Sequence, residues 1–137
     1  MRHSHSEIWT HLVLSTKDHI PVFHEKEVKI IEEALKDFAE DHEEKHITFS
    51  VLPEHIHILL KLPEDMSVNS LGNHLQTYIR SRLRVAKGTN SNFIWNKDFH
   101  AHSVSSNRLS AEKSLIERQH FKHQEISLKE ELKFLGL

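Results

Sequence analysis

Residues 52–60 read Leu-Pro-Glu-His-Ile-His-Ile-Leu-Leu, and the apolar, β-favouring run Ile47 to Leu52 leads into them. Pro53-Glu54 breaks the run as a short turn, so Ile47–Leu52 and His55–Leu62 are predicted to pair as a β-hairpin. Side chains two apart on a strand share a face. His55 and His57 therefore point one way, and Ile56, Ile58 and Leu60 point the other way, into a core. The hairpin thus has one core face and one face bearing imidazoles. Two imidazoles on the open face of a sheet can grip one divalent ion, and on that open face alanine at either position should leave the fold intact. The spacing alone is a weak sign here, because His-x-His recurs as His3/His5 and His100/His102 in a chain with 14 histidines.

Upstream of the hairpin, Ile8 to Ser15 reads as a strand and Pro21-Val22-Phe23 as a connector. From Glu25 to Glu43 the apolar positions Val28, Ile31, Leu35 and Phe38 recur at helical spacing. Downstream, Pro63-Glu64-Asp65 ends the second hairpin strand. Ser67 is placed to cap a helix carrying Val68, Leu71, Leu75, Ile79 and Leu83. Gly88 to Asn92 is a polar loop. A fourth strand is expected in the second half of Phe93–Val104. Ser106 or Asn107 is placed to cap a third helix with Leu109 and Ile116, and Ser127 with Glu130 opens a last short helix, Leu128 to Leu135. The order β-α-β-β-α-β predicts an α+β, ferredoxin-like four-stranded antiparallel sheet, with extra C-terminal helices. Helices cover one face and leave the other free for a site or a partner. No linker or repeat interrupts the chain, so residues 1–137 are expected to form one domain.

Composition bounds the function. The chain has 137 residues, long enough to hide roughly two-thirds of its unfolded surface. It has no cysteine, which excludes thiol catalysis, disulfides and cysteine-held zinc or iron–sulfur clusters. Its three glycines form no phosphate loop. No apolar run reaches membrane-spanning length, no signal peptide is visible, and a cytoplasmic protein without membrane contact is expected. The 18 Lys and Arg against 20 Asp and Glu give a net charge of -2. Yet Met66 to Lys97 has no acidic residue and five basic ones, Arg80, Arg82, Arg84, Lys87 and Lys97, interleaved with Tyr78, Phe93 and Trp95. Basic residues among aromatics suit phosphate neutralisation and base stacking, and also describe a solvated helix face.

Taken together, these segments resemble the insertion-sequence 200/605 type of single-tyrosine transposase, including the REP-associated ones, whose HUH motif is a histidine–hydrophobe–histidine strand. Similar segments are Trp9 to Lys17 with Pro21-Val22-Phe23, Leu52 to Leu60, Met66-Ser67-Val68 and its helix, Ile94 to Phe99 with Ser103-Val104-Ser105, and Ile116 to Gln119 with His123 and Ser127 to Leu132. The resemblance implies a homodimer that recognises hairpins in single-stranded DNA and cuts and rejoins one strand through a phosphotyrosine link. It implies Mg²⁺ or Mn²⁺ held by His55, His57 and Gln119, while the basic zone itself offers Arg80, Arg82, Arg84 and Lys87 as candidate DNA contacts. The family's nucleophile lies four residues before that glutamine, where this chain has Leu115, a residue with no nucleophilic atom. The sole tyrosine is Tyr78, an alternative nucleophile on the other helix. Gln76-Thr77 and Asp98-Phe99-His100 also depart from the family pattern. Three readings follow: a strand-transfer enzyme using Tyr78 or a metal-activated water; a degenerate member that binds DNA hairpins without cleaving; or a histidine-rich metal-binding protein.

Overall fold

In the computed structural model, residues 7–44 and 46–119 are described. The strands are β1 (Trp9–Ser15), β2 (Ile47–Val51), β3 (His55–Lys61) and β4 (His100–Val104); the helices are α1 (Glu25–Asp41), α2 (Val68–Val85) and α3 (Leu109–Glu117). The sheet order is β2-β3-β1-β4, every pair antiparallel. This is the expected βαββαβ arrangement, with β1 and β3 central and the hairpin strand β2 at one edge. The expected helix Leu128 to Leu135 and His123 lie outside the described residues.

Local chemistry sets the helix boundaries. The His24 N–H donates to Glu27 Oε1 at 2.9 Å, half of a capping box that starts α1. Ser67 Oγ accepts from the Ser70 N–H at 3.0 Å and starts α2, as the sequence predicts. The start of α3 differs from expectation. Ser106–Arg108 form a 3₁₀ turn, no side chain caps α3, and Ser105 Oγ instead donates to Asn107 Oδ1. The Asn107 side chain is thereby occupied within its own turn.

Strand alternation divides the apolar residues between two layers. Leu12, Leu14, Ile56, Ile58 and Leu60 join Ile31, Leu35 and Phe38 of α1 and Leu71, Leu75, Ile79 and Leu83 of α2 in the main core. The segment before β4 is held to the end of β1. Lys17 N–H donates to Ile94 O, Asn96 N–H donates to Ser15 O, and Phe93 and Trp95 pack around Phe23 with ring centroids 5.1 and 5.9 Å away.

The opposite face is not free, which corrects the sequence reading. α3 lies over it, and Leu59, Val104 and Ile116 form a second buried cluster with Trp9 and Leu109 at its margin. The physical reason is parity. The positions that alternate with the main-core residues are not uniformly polar: Trp9, Leu59 and Val104 form an apolar patch that needs a cover, and Ile116 supplies it.

At Gly72 on α2 a methyl group would overlap Phe99 Cε1, Cε2 and Cζ, so the ring seats directly against the helix backbone. Gly72→Ala should lower the unfolding free energy by about 1–3 kcal/mol, because the ring must leave its seat. Urea denaturation measures this; unchanged stability would show that Phe99 repacks without cost.

Candidate metal centre and the helix above it

The histidine face of the sheet is built by register. Val13 lies opposite His57, Ser15 opposite His55, and His11 opposite both Leu59 and His102. His11, His55, His57 and His102 therefore project from three adjacent strands to one side. α3 adds Glu112, Ile116 and, two residues past its end, Gln119, a buried stripe at four- and three-residue spacing. His11, His55 and His57 are 0% exposed and Gln119 is 1% exposed. That burial corrects a second expectation. Both β3 histidines point away from the main core, yet they are interior, so alanine at either would remove a buried, hydrogen-bonded ring rather than a surface group.

These groups form a continuous chain of contacts. Glu112 Oε2 lies 3.1 Å from His11 Nδ1 and 2.6 Å from His102 Nε2. His11 Nε2 lies 2.9 Å from His57 Nδ1, and His57 Nε2 lies 3.1 Å from His55 Nε2. At the far end, His55 Nδ1 meets Glu54 Oε1 at 3.1 Å. Hydrogen bonds from His11 and His102 hold the Glu112 carboxyl down at about 2, against the desolvation that opposes ionisation. Glu112 is therefore a carboxylate at neutral pH.

Two sets of donors suit a cation. The Nε2 atoms of His55 and His57 are close enough for one small ion to touch both. Gln119 Oε1 is buried and has no hydrogen-bond partner among the described residues, while its amide nitrogen donates to Leu115 O at 2.9 Å. Two imidazoles suit a divalent transition ion, and an amide oxygen suits a harder one such as Mg²⁺ or Mn²⁺. His11, His102 and Glu112 are a second group of compatible ligands, with candidate atoms within 4.8 Å of one another.

The sequence matches the family model described as "Transposase IS200 like" over residues 4–119. The chain belongs to the IS200-like transposase family. No curated protein sequence matches it significantly. Among solved structures, a candidate transposase from Deinococcus radiodurans R1 is 18% identical, with a TM-score of 0.63 over 87% of this chain and 95% of that one. A REP-associated tyrosine transposase bound to a REP hairpin is 17% identical, with a TM-score of 0.64 over 92% of this chain and 74% of that one. Both likenesses support the ferredoxin-like fold.

Within this transposase-family chain, the other residues singled out from sequence occupy varied settings. Leu115 is half-buried on the flank of the α3 stripe, one turn before Gln119. Tyr78 sits on α2, in the layer across the sheet from the histidines. Its ring packs edge-on to Phe38, and its hydroxyl accepts from Arg82 Nη2 at 2.8 Å. Arg82 also pairs with Asp37 at 2.8 Å. Arg80 donates to Ser91 O at 2.8 Å and stacks on Phe93, with its guanidinium carbon 4.4 Å from the ring centre. Arg80 thus ties down the polar loop, whereas Arg84 and Lys87 are exposed. His11 and Glu112 were not singled out from sequence, and His102 entered only in the recurring His100/His102 pair. Strand parity was the available signal for the two histidines, and the 112/116/119 spacing for the glutamate.

Because the folded pKa of Glu112 lies below its unfolded value, its ionisation stabilises the fold above that unfolded value and ceases to do so in acid. The stability difference between the wild type and Glu112→Gln should be full at pH 5 and above, and should shrink as pH falls from about 4.5 toward 2. Urea unfolding across that range measures it. A difference independent of pH would remove the charged hydrogen bonds from the account.

Proposed function

We propose that this family member binds hairpin-bearing single-stranded DNA, with His55, His57 and Gln119 holding Mg²⁺ or Mn²⁺, and makes no phosphotyrosine link. The observation carrying this reading is a separation. The chain's one tyrosine, Tyr78, lies on α2, on the opposite side of the sheet from the imidazoles, with its hydroxyl held by Arg82. Next to Gln119, where a nucleophile would need to stand, the chain offers Leu115, which has no atom able to attack phosphorus. A bound ion would neutralise and polarise a phosphodiester. The chain's own contribution is to hold the imidazoles in a buried, hydrogen-bonded array and to supply the Gln119 carbonyl.

The solved neighbour bound to a REP hairpin supports hairpin DNA as the partner class. Exposed Arg84 and Lys87 suit phosphate contacts, while Arg80 and Arg82 are engaged in packing their own layer. Among the described residues β2 and β4 are edge strands, each paired on one side, which supports a homodimer. Light scattering at tens of micromolar should give twice the 16.1 kDa chain mass, and a monomer mass would contradict the dimer.

Incubation with labelled hairpin DNA and Mn²⁺ should give a retarded band and no detergent-resistant protein–DNA adduct. Leu115→Tyr should gain that adduct if the nucleophile alone was lost. A wild-type adduct that disappears in Tyr78→Phe would overturn the reading. A free nick without an adduct would point to water as the nucleophile.

A further inference from the structure

The direction of the hydrogen bonds along the buried chain has a definite consequence. A carboxylate only accepts, so His11 Nδ1, 3.1 Å from Glu112 Oε2, carries a proton. A neutral His11 then presents a lone pair at Nε2, and His57 Nδ1, 2.9 Å away, must donate to it. That leaves a neutral His57 with its lone pair at Nε2. From the other end, Glu54 Oε1 at 3.1 Å fixes the proton of His55 on Nδ1 and its lone pair on Nε2. The two Nε2 atoms lie 3.1 Å apart, where one cation could touch both.

We propose that Glu112, acting through His11, is a positioning residue that fixes the ring orientation and the Nδ1–H tautomer of His57, so that its Nε2 faces the cation. This rests on the reading of His55 and His57 as metal ligands. Glu54 does the same for His55, which makes the array a pair of carboxylate-anchored imidazoles converging on one point. The alternative geometry has the opposite proton order. An ion held by His11 Nδ1, His102 and Glu112 would move the His11 proton to Nε2, make His57 Nδ1 the acceptor and protonate His57 Nε2. The two sites therefore exclude each other through one tautomer, and the two N–H groups that Glu112 accepts from His11 and His102 favour the His55/His57 site.

Two measurements on the full chain decide this. Nitrogen-15 NMR of the metal-free wild type should show the Nδ1–H tautomer at His57, and Glu112→Gln and His11→Phe should each lose that preference. Protonation of His57 at Nε2 in the wild type overturns the proposal without any variant. Calorimetric titration with Mn²⁺ should then show about 10–100-fold weaker binding for Glu112→Gln and His11→Phe, with unchanged circular dichroism. Unchanged Mn²⁺ affinity in both variants overturns the positioning role while the ligand reading stands, provided His55→Ala abolishes binding. Binding that survives His55→Ala but is lost in Glu112→Gln overturns both and places the ion at His11, His102 and Glu112.

Discussion

The contact on which the rest of this site depends is the grip of Glu112 on two histidines from adjacent strands. One carboxylate oxygen receives His11 of β1 and His102 of β4, and in doing so pins α3 to the sheet. Without it, α3 would be held on that face chiefly by the small Leu59–Val104–Ile116 cluster. With it, the helix seals a layer of imidazoles that would otherwise be wet. Burial of that many polar rings is tolerable only because each is hydrogen-bonded, and a charged acceptor strengthens the bonds that matter most. The same contact brings Gln119, one stripe position beyond Ile116, to the underside of the helix.

The fold was largely legible in the sequence because its signals are local. Pro53 punctuates the hairpin, Ser67 caps α2, and the Leu71–Leu75–Ile79–Leu83 stripe repeats at helical spacing. The site was legible only in part. Strand parity puts His55 and His57 on one face, but it does not reveal what lies above that face. Their burial depends on α3, whose stripe of Glu112, Ile116 and Gln119 has a single apolar member and so does not announce a buried face. His11 was hidden for the same reason: a lone histidine in an apolar strand declares no partner until the register sets it opposite His102. The basic zone carries contacts that the sequence does not reveal. Arg80 and Arg82 look like a phosphate-binding row in sequence, yet a cation near an aromatic ring or an aspartate in its own layer is satisfied at home.

The division of labour between the two faces of the sheet carries the functional reading. One face holds α1, α2, the only tyrosine and the basic zone. The other holds His11, His55, His57 and His102 with the carboxylate of Glu112 and the amide of Gln119. The nucleophile position that the family resemblance implies, four residues before Gln119, lies on the second face. This chain puts leucine beside its glutamine there, within reach of an array of buried, hydrogen-bonded histidines. The array on one face and the tyrosine on the other are what the proposal of binding without a phosphotyrosine link rests on.

The central claim is that the buried array converges on a single cation between His55 and His57. Anomalous diffraction from crystals grown with Mn²⁺ tests it most directly. The account predicts one ion in contact with His55 Nε2, His57 Nε2 and Gln119 Oε1, with the Glu112–His11–His57 contacts preserved. An ion coordinated by His11, His102 and Glu112, or no ion anywhere on that face, would contradict it.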